Sequence, residues 1–227
     1  MSSSTPEHAA QVENLIQSGV SGIVMAMGKM QELDAQLAQA KAKGIPVVSV
    51  MSNASAHAAF DVNVDEFVVG AKIATYLLSR MNYQGNILTQ RYEGHGGTRA
   101  RGKVLDVVLG ENTGVKVLGS YTMARPQSWR EDVKAGMEAL ILKNKGQINA
   151  VWASFDGQAF IIDDLLKASG AKKGQVLLTG VDGGQETFTR IRDKDSLLVA
   201  TVAIPFEKMG EATVDGIDKL AVKKLAK

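Results

Sequence analysis

The feature that most constrains this chain is the alternation of short apolar runs with longer amphipathic segments. Residues 22–27 form an apolar run of strand length, and residues 31–43 then carry leucines at helical spacing up to Gly44. A second apolar run begins at Ile45, and the same succession continues along the chain. Strands that alternate with helices at this spacing are connected by right-handed crossovers, which produce a mostly parallel sheet. The sequence therefore predicts an α/β fold.

The predicted strands are continuous apolar runs, as expected where helices cover both faces of a sheet. About eight strands can be recognised, too many for one sheet covered by helices of this total length, so we expect two doubly wound, Rossmann-like lobes. The predicted strands are residues 22–27, 45–50, 60–64, 86–90, 115–123, 148–154, 175–181 and 197–203. The predicted helices are residues 6–18, 31–43, 65–81, 98–109, 127–143, 157–169, 185–193 and 206–225.

The composition is that of an ordinary globular protein. Of 227 residues, 45% are hydrophobic and 22% are charged, whereas a disordered chain combines low hydrophobicity with high net charge. The net charge of +2 argues against a nucleic-acid partner, because phosphate binding needs a concentrated basic face. No apolar run approaches the roughly 18 residues of a membrane-spanning helix, so we expect no membrane insertion.

Residue types that carry catalysis are scarce in this sequence. Cysteine is absent, which excludes disulfides, thiolate metal sites and cysteine nucleophiles. The histidines His8, His57 and His95 have no partner at metal-ligand spacing, and no G-x-S-x-G motif occurs. The sequence therefore predicts a protein that is not an enzyme and that holds no metal and no cofactor.

The most pointed segment is the glycine-rich stretch of residues 94–103. Residues 97–103 match the G-x-x-x-x-G-K part of a phosphate loop, but Val104 stands where Mg²⁺ coordination needs a serine or threonine. We favour a strand-to-helix connection that places Arg99 or Arg101 at a ligand, since a guanidinium donates several directed hydrogen bonds to hydroxyl or carboxylate oxygens. The alternative is that both arginines are solvated on the first helical turn.

Three further residues lie where ligands of doubly wound sheets bind, beyond the carboxyl ends of the strands. Asp182 follows a buried strand, and its carboxylate can accept two hydrogen bonds from a polyhydroxylated ligand. A turn or N-cap aspartate is the alternative. Phe155 follows another strand and offers a stacking face, and Trp129 at a helix start can lie against the C–H face of a sugar. A core position is the alternative for both aromatic residues.

Seven short segments carry a resemblance through their order and spacing. They are QVENLIQSGVSGIV at 11–24, AKGIPVV at 42–48, GAKIA at 70–74, RARG at 99–102, AVWASFD at 150–156, GVDG at 180–183 and VATVA at 199–203. In these segments the chain resembles the type I periplasmic sugar-binding proteins, which are the ribose-binding-protein-like solute receptors of ABC transporters. No single segment is specific, but the resemblance runs over nearly the whole chain.

The resemblance implies two lobes joined by hinge crossings, which close over one small ligand. The expected lobes are an N-terminal lobe of residues 1–64 and 205–227 and a C-terminal lobe of residues 65–204. The implied function is that of an extracytoplasmic receptor, which binds a monosaccharide or sugar alcohol and presents it to an ABC transporter permease. The implied location is the periplasm, with a signal peptide that is not present in this chain.

Carried over position by position, the resemblance places the ligand arginine of the C-terminal lobe on Arg99. The strand-end carboxylate falls on Asp182, and the aromatic residue of the same lobe falls on Trp129. These three residues are retained in kind, so the resemblance implies that they contact the ligand.

Other positions depart from the ribose receptors. Met51 and Ser52 stand where those proteins carry Asp-Arg, Phe155 stands in place of an asparagine, and Ile204 in place of a glutamine. We include all four among the candidate ligand contacts. Because this set is more apolar, it favours a less hydroxylated, deoxy or short polyol-like ligand over ribose.

Two expectations concern the ends of the chain. Such receptors begin with a strand, a helix and a strand before the helix that starts here at Pro6, so we expect an incomplete N-terminal lobe beside an intact C-terminal lobe. The alternative function is the sugar-responsive effector domain of a LacI-type transcription regulator, which shares the fold. Such a regulator carries an N-terminal helix-turn-helix, which this sequence lacks, and the sequence is closer to the receptors.

Overall fold

The computed structural model describes residues 5–52 and 54–223. Helices alternate with strands, and every strand pairing within the sheets is parallel, which confirms the predicted α/β class. The helices are α1 (Thr5–Gln17), α2 (Asp34–Ala42), α3 (Glu66–Arg80), α4 (Gly96–Glu111), α5 (Trp129–Lys143), α6 (Asp156–Ala168), α7 (Gln185–Arg192) and α8 (Phe206–Ala221). The strands are β1 (Ile23–Ala26), β2 (Val47–Val50), β3 (Phe60–Val62), β4 (Gly85–Arg91), β5 (Val115–Thr122), β6 (Ala150–Ala153), β7 (Leu177–Asp182) and β8 (Leu198–Ala203).

The chain divides into two compact units. Unit 1 consists of the described residues of Met1–Val64 and Pro205–Lys227, and unit 2 consists of Asp65–Ile204. The chain therefore enters unit 2 between β3 and α3 and returns to unit 1 between β8 and α8. Asp65 marks the entry, because its carboxylate accepts the N–H groups of Phe67 and Val68 at 3.0 and 3.1 Å and so caps α3.

Unit 1 contains a three-stranded sheet in the order β1-β2-β3. Helices α1 and α2 bury an apolar cluster against β1 and β2, and α8 packs on the strands as well. Gly22 and Gly216 allow this close packing, since a Cβ atom would lie 2.8 Å from Ile217 Cδ1 in the first case and 2.0 Å from Phe60 Cζ in the second. The buried cluster is Val12, Ile16, Ile23, Met30, Leu33, Leu37, Ala40, Ile45 and Val47.

Unit 2 contains a five-stranded sheet in the order β5-β4-β6-β7-β8. On one face, α5 and α6 bury the larger apolar core, in which Leu88, Val151 and Leu178 come from three neighbouring strands. On the other face lie α3 and α4, and Trp152 is fully buried in the sheet. Gly70 lets these two helices approach, because a Cβ atom there would lie 2.9 Å from the Cα atom of Arg101.

No helix in the described part of the chain is both long enough and apolar enough to cross a lipid bilayer.

We expect the backbone amides of β4, β6 and β7 to exchange with solvent deuterium more slowly than those of β1 and β3. Each of the first three strands is hydrogen-bonded on both sides, whereas in the described sheet of unit 1 this holds for β2 alone. Hydrogen exchange followed by mass spectrometry on peptides from the two units measures the difference. Equal protection of the two groups of strands would contradict this expectation.

Candidate functional site

The candidate site lies at the carboxyl edge of the sheet of unit 2. Strands β4, β6 and β7 are neighbours in this sheet and run parallel, so the segments that follow them emerge at one edge. The order of the strands also reverses between β4 and β6. After β4 the chain adds β5 on one side, and it then crosses to the other side to add β6, β7 and β8. Open α/β sheets bind ligands at such a reversal.

Asp182 ends β7 at this edge in an unusual conformation. Its φ of 135° is one that L side chains rarely adopt, and such strain concentrates at functional sites. Its backbone carbonyl accepts the N–H of Ile204 at 2.6 Å, and its side chain is 30% exposed. Burial raises the pKa of the Asp182 carboxyl to about 7, although the nearby positive charge of Arg101 lowers it. A partly exposed carboxylate with this pKa can accept hydrogen bonds from a ligand.

Arg101, in α4, lies directly behind Asp182. Its side chain is 2% exposed, and its Nε and Nη2 atoms donate to the two carboxylate oxygens of Glu66 at 2.6 and 2.9 Å. Its Nη1 atom donates to the carbonyl oxygen of Ser154 at 2.9 Å and lies 3.6 Å from Asp182 Oδ1. The interpretation of both arginines as solvated is therefore wrong for Arg101.

Asp156, the first residue of α6, holds the segment after Asp182 in place. Its buried carboxylate accepts the N–H of Gly183 at 2.8 Å and the hydroxyl of Thr187 at 2.7 Å. It also accepts the hydroxyl of Thr201, at 2.9 Å to one oxygen and 3.0 Å to the other. Burial raises the pKa of Asp156, and these hydrogen bonds oppose the rise. The carboxylate thereby connects β7, α7 and β8.

Arg99 lies in the first turn of α4 and is partly exposed. Its Nη1 atom donates to the carbonyl oxygen of Glu93 at 2.7 Å, which uses one of the five N–H groups of a guanidinium. The hydroxyl of Thr98 donates to the carbonyl oxygen of Tyr92 at 2.7 Å and ties the helix to the loop after β4. The loop therefore holds Arg99 at the carboxyl edge of β4.

Trp129 and Phe155 form an aromatic pair at the same edge. Their ring centroids are 5.4 Å apart with an interplanar angle of 63°, an edge-to-face contact. Both residues are partly exposed, and the guanidinium of Arg130 lies 4.5 Å from the centroid of the Trp129 ring. Gly157 leaves space for the pair, since a Cβ atom there would lie 3.0 Å from Trp129 Cη2.

The segment that precedes Trp129 is held by Asp132. The carboxylate of Asp132 accepts the N–H of Ala124 at 2.8 Å and the Nε–H of Arg125 at 2.7 Å. The hydrogen bond from Arg125 lowers the pKa of Asp132 to about 2, and burial opposes this only in part. Asp132 thus fixes the approach of the chain to the aromatic pair.

Substitution of Asp132 with asparagine should destabilise the protein at pH 7 and have a much smaller effect at pH 2, where about half of the folded-state carboxyl is protonated. The carboxyl pKa in the folded state is about 2, below the ordinary 3.8, so its stabilising contribution is complete above about pH 4. That contribution is lost as the pH falls through about 2. Urea unfolding of both proteins from pH 7 to pH 2 measures it, with the exposed Glu131→Gln as control. A stability difference independent of pH would contradict the assignment.

Two of the sequence-predicted contacts belong to the carboxyl edge of unit 1. Met51 follows β2 with a φ of 50°, and Met27 follows β1 with a φ of 54°. The hydroxyl of Ser52 accepts the N–H of Gly28 at 2.9 Å and donates to the carbonyl oxygen of Val50 at 3.1 Å. Ser52 is buried, so its hydroxyl primarily joins the segments that follow β1 and β2.

The structure thus brings several predicted residues together within unit 2. Asp182 contacts Ile204 through the backbone, and the pair of Trp129 and Phe155 adjoins the carbonyl of Ser154 that Arg101 binds. Ile204 itself is 6% exposed. The ligand contacts of all seven candidates stay predictions.

Glu66 and the buried position of Arg101 were missed by the sequence analysis. A signal was present for Glu66, because it shares one face of α3 with the buried residues Val69, Gly70 and Ile73 at spacings of three, four and seven. Arg101 lies four residues before the buried Leu105 and so shares one face of α4 with it. A charged residue on an apolar helix face requires a partner, and each of these two is the partner of the other.

In the described residues, no group of three or more His, Asp or Glu side chains is arranged to hold a metal ion.

The sequence matches the family described as periplasmic binding protein domain over residues 2–225. The chain belongs to this family, which confirms the resemblance drawn from its segments. The members of this family are solute-binding receptors.

Individual relatives agree with this assignment. The xylitol-binding protein of Mycolicibacterium smegmatis is 31% identical over 192 residues, covering 82% of this chain and 53% of the relative. The ribose import binding protein of Bacillus subtilis is 23% identical over 218 residues, covering 94% of this chain and 67% of the relative. This chain therefore spans about half the length of the first relative, 53%, and two thirds of the second, 67%.

Solved structures show the same fold. An ABC transporter solute-binding protein from Agrobacterium vitis with bound allitol has a TM-score of 0.84 and 25% identity, covering 99% of this chain and 78% of that chain. A 5-methylthioribose transporter solute-binding protein from Thermotoga lettingae, in complex with 5-methylthioribose, has a TM-score of 0.88 and 22% identity. It covers 96% of this chain and 67% of that chain.

Proposed function

We propose that this protein is the solute-binding receptor of an ABC transporter and that its ligand is a monosaccharide or a sugar alcohol. The observation that carries the proposal is the pairing of Trp129 and Phe155 at the sheet edge that also holds Arg99 and the partly exposed carboxylate of Asp182. Sugars and polyols present C–H surfaces and hydroxyl groups together. The site offers aromatic rings to the C–H surfaces and charged hydrogen-bonding groups to the hydroxyl groups.

The proposed roles follow from the contacts of each residue. Arg99 donates hydrogen bonds to ligand hydroxyl oxygens, and Asp182 accepts hydrogen bonds from ligand hydroxyl groups. Trp129 and Phe155 supply the stacking surface. One guanidinium and one partly exposed carboxylate at a single sheet edge suit a small ligand.

In unit 1, Ser52 is buried and its hydroxyl already has two hydrogen bonds within the unit, so Met51 is the partly exposed candidate at that carboxyl edge. Ile204 closes the end of β8 beside Asp182. Support for a polyol comes from one relative that is named for binding xylitol and from one solved structure that contains bound allitol.

The proposal includes a partner and a location. The liganded protein is recognised by an ABC transporter permease outside the cytoplasm, in the periplasm, and the ligand leaves chemically unchanged, so the protein is not an enzyme. Deletion of the gene in its host should then abolish high-affinity uptake of the ligand that the purified protein binds. Unchanged uptake would argue against the transport role.

A thermal-shift screen followed by calorimetry tests the binding function. Xylitol, allitol, ribose, allose and fucose are added to the full chain at millimolar concentration. We expect at least one polyol or deoxy sugar to raise the melting temperature, because a ligand that binds the folded state alone stabilises it. A protein with a clean unfolding transition that none of these compounds shifts would contradict the proposal.

The Arg99→Ala variant then tests the site. Loss of one charged hydrogen bond should weaken binding of the compound found by the screen by about 1–3 kcal/mol, which is roughly 5-fold to 150-fold in Kd. Lys103→Ala is the matched control, since Lys103 is an exposed cation on the same helix. Equal affinity of the wild type and Arg99→Ala would remove Arg99 from the site.

A further inference from the structure

We propose that Arg101, held by Glu66, is a positioning residue that orients Asp182 and stabilises its negative charge. This inference rests on the proposed function, in which Asp182 receives the ligand hydroxyl groups. Arg101 itself is 1% exposed and makes no contact with a ligand in this scheme. It acts through Asp182 and through the end of β6.

One guanidinium connects three elements of unit 2. Its Nε and Nη2 atoms donate to both carboxylate oxygens of Glu66, the first residue of α3. Its Nη1 atom donates at 2.9 Å to the carbonyl oxygen of Ser154, which directly precedes Phe155, and lies 3.6 Å from Asp182 Oδ1. Arg101 therefore connects the end of β6, where Phe155 follows, with the end of β7, where Asp182 lies.

The packing of α3 against α4 is built around this ion pair. A Cβ atom at Gly97 would lie 2.4 Å from Glu66 Oε1, and one at Gly70 would lie 2.9 Å from the Cα atom of Arg101. Glycine at both positions lets the helices approach until the short Glu66 side chain reaches the guanidinium. Two bonds in fork geometry then fix the plane of the guanidinium, which a single contact would leave free to rotate.

The charges around Asp182 explain why the guanidinium is needed there. In the described structure, burial raises the pKa of Asp182, and so do the negative charges of Asp156 and Glu66. Arg101 is the positive group that opposes them. An ionised carboxylate accepts hydrogen bonds from hydroxyl groups at both oxygens, whereas a protonated carboxyl has one oxygen that carries a hydrogen and so fewer acceptor positions. Without Arg101 the pKa of Asp182 would rise further, so a larger share of the carboxyl would be protonated at pH 7.

A titration of Asp182 in the ligand-free full chain tests this inference. The carboxyl ¹³C signal of Asp182 is assigned by its loss in Asp182→Asn and is followed by NMR from pH 4 to pH 10. We expect a midpoint near the value of about 7 in the wild type. In Arg101→Gln the midpoint should rise by about 1 pH unit or more, because an attractive charge is removed.

The Glu66→Gln variant gives the opposite expectation. Removal of this carboxylate takes away a repulsive charge, so the midpoint of Asp182 should fall. Arg101→Lys should keep the midpoint near that of the wild type, because it retains the positive charge. Asp106→Asn is the control, because Asp106 lies on the same helix as Arg101 but pairs with Arg91 of β4, and its loss should leave the midpoint of Asp182 unchanged.

Binding of xylitol separates the charge effect from the positioning effect. Arg101→Lys keeps the charge but loses the fork, so its affinity should fall about tenfold while the midpoint of Asp182 stays in place. Wild-type affinity in Arg101→Lys would overturn the positioning role. Midpoints that move in one direction, or not at all, in Arg101→Gln and Glu66→Gln would overturn the charge role.

These outcomes stay distinct from those of the proposed function. If neither xylitol nor any compound of the screen binds the wild type, the proposed function fails, whereas the titration still decides the charge role without a ligand. If Arg101→Gln does not fold, Glu66→Gln and Arg101→Lys carry the test, since both retain a cation at position 101. A downward shift in the first and an unchanged midpoint in the second then support the inference.

Discussion

Substitution of Asp163 with alanine should lower the free energy of unfolding by about 3–5 kcal/mol, because two buried donors lose their acceptor at about 1–3 kcal/mol each. The side chain of Asp163 lies in α6 and is fully buried. Its Oδ1 atom accepts the N–H of Leu197 at 2.7 Å, and its Oδ2 atom accepts the hydroxyl of Ser196 and the Nη1–H of Arg190, both at 3.0 Å. Lys167 Nζ also lies 3.0 Å from Oδ2.

The large effect follows from what the substitution leaves behind. Alanine removes the acceptor from two buried donors, the N–H of Leu197 and the hydroxyl of Ser196, at the point where the chain enters β8. A buried donor without a partner costs its full desolvation energy, which exceeds the net value of the hydrogen bond. The start of β8 would therefore lose its connection to α6.

Asp164 provides a closely matched control. It is the next residue of the same helix and contacts the same two cations, with Arg190 Nη1 at 2.8 Å and Lys167 Nζ at 3.3 Å. Its side chain is 60% exposed, so Asp164→Ala should cost less than about 1 kcal/mol. Both tryptophans, Trp129 and Trp152, belong to unit 2, so urea unfolding followed by tryptophan fluorescence reports on this unit. Similar losses in the two variants would contradict the argument.

Much of the fold could be predicted because apolar periodicity is a local property of the sequence. The strand predicted at residues 86–90 is found as Gly85–Arg91, and the helix predicted at residues 65–81 is found as Glu66–Arg80. The helix predicted from Thr98 begins two residues earlier, at Gly96. The difference arises because glycine is a poor helix former, while packing against Glu66 favours the absence of a side chain at Gly97.

The candidate site was less accessible to sequence reasoning. Strand ends indicated Asp182 and Phe155 as candidates, and the structure places both at one edge of the sheet, since parallel strands end together. The roles of Arg99 and Arg101 differ although the residues are two positions apart, because one lies at the helix surface and the other faces α3. The partner that distinguishes them, Glu66, is distant in sequence. Such a pairing depends on how two helices pack, which local patterns do not contain.

Substitution of Asp182 with asparagine should stabilise the folded protein at pH 8 and weaken ligand binding. The pKa of Asp182 is raised from 3.8 to about 7, so folding holds a proton that the unfolded chain releases between these values. Stability therefore falls as the pH rises from about 4 to about 7, and above that range the ionised carboxylate destabilises the fold. Because the side chain is 30% exposed, we expect asparagine to recover on the order of 2 kcal/mol rather than the full difference.

The pH dependence distinguishes this effect from a general change in packing. At about pH 3 the carboxyl is protonated in the folded state and, with an ordinary pKa of 3.8, largely so in the unfolded state, so wild type and Asp182→Asn should have nearly equal stability in urea. At pH 8 the variant should be more stable, and its affinity for the compound found by the screen should be at least about tenfold lower, because a carboxylate acceptor is lost. The exposed Asp195→Asn should change neither quantity.

A variant that is less stable than the wild type at pH 8 would show that the carboxylate supports the fold. A variant that is more stable but binds equally well would show that Asp182 lies outside the site. The combination expected here, higher stability with weaker binding, is what a strained and partly buried carboxylate kept for a ligand should produce.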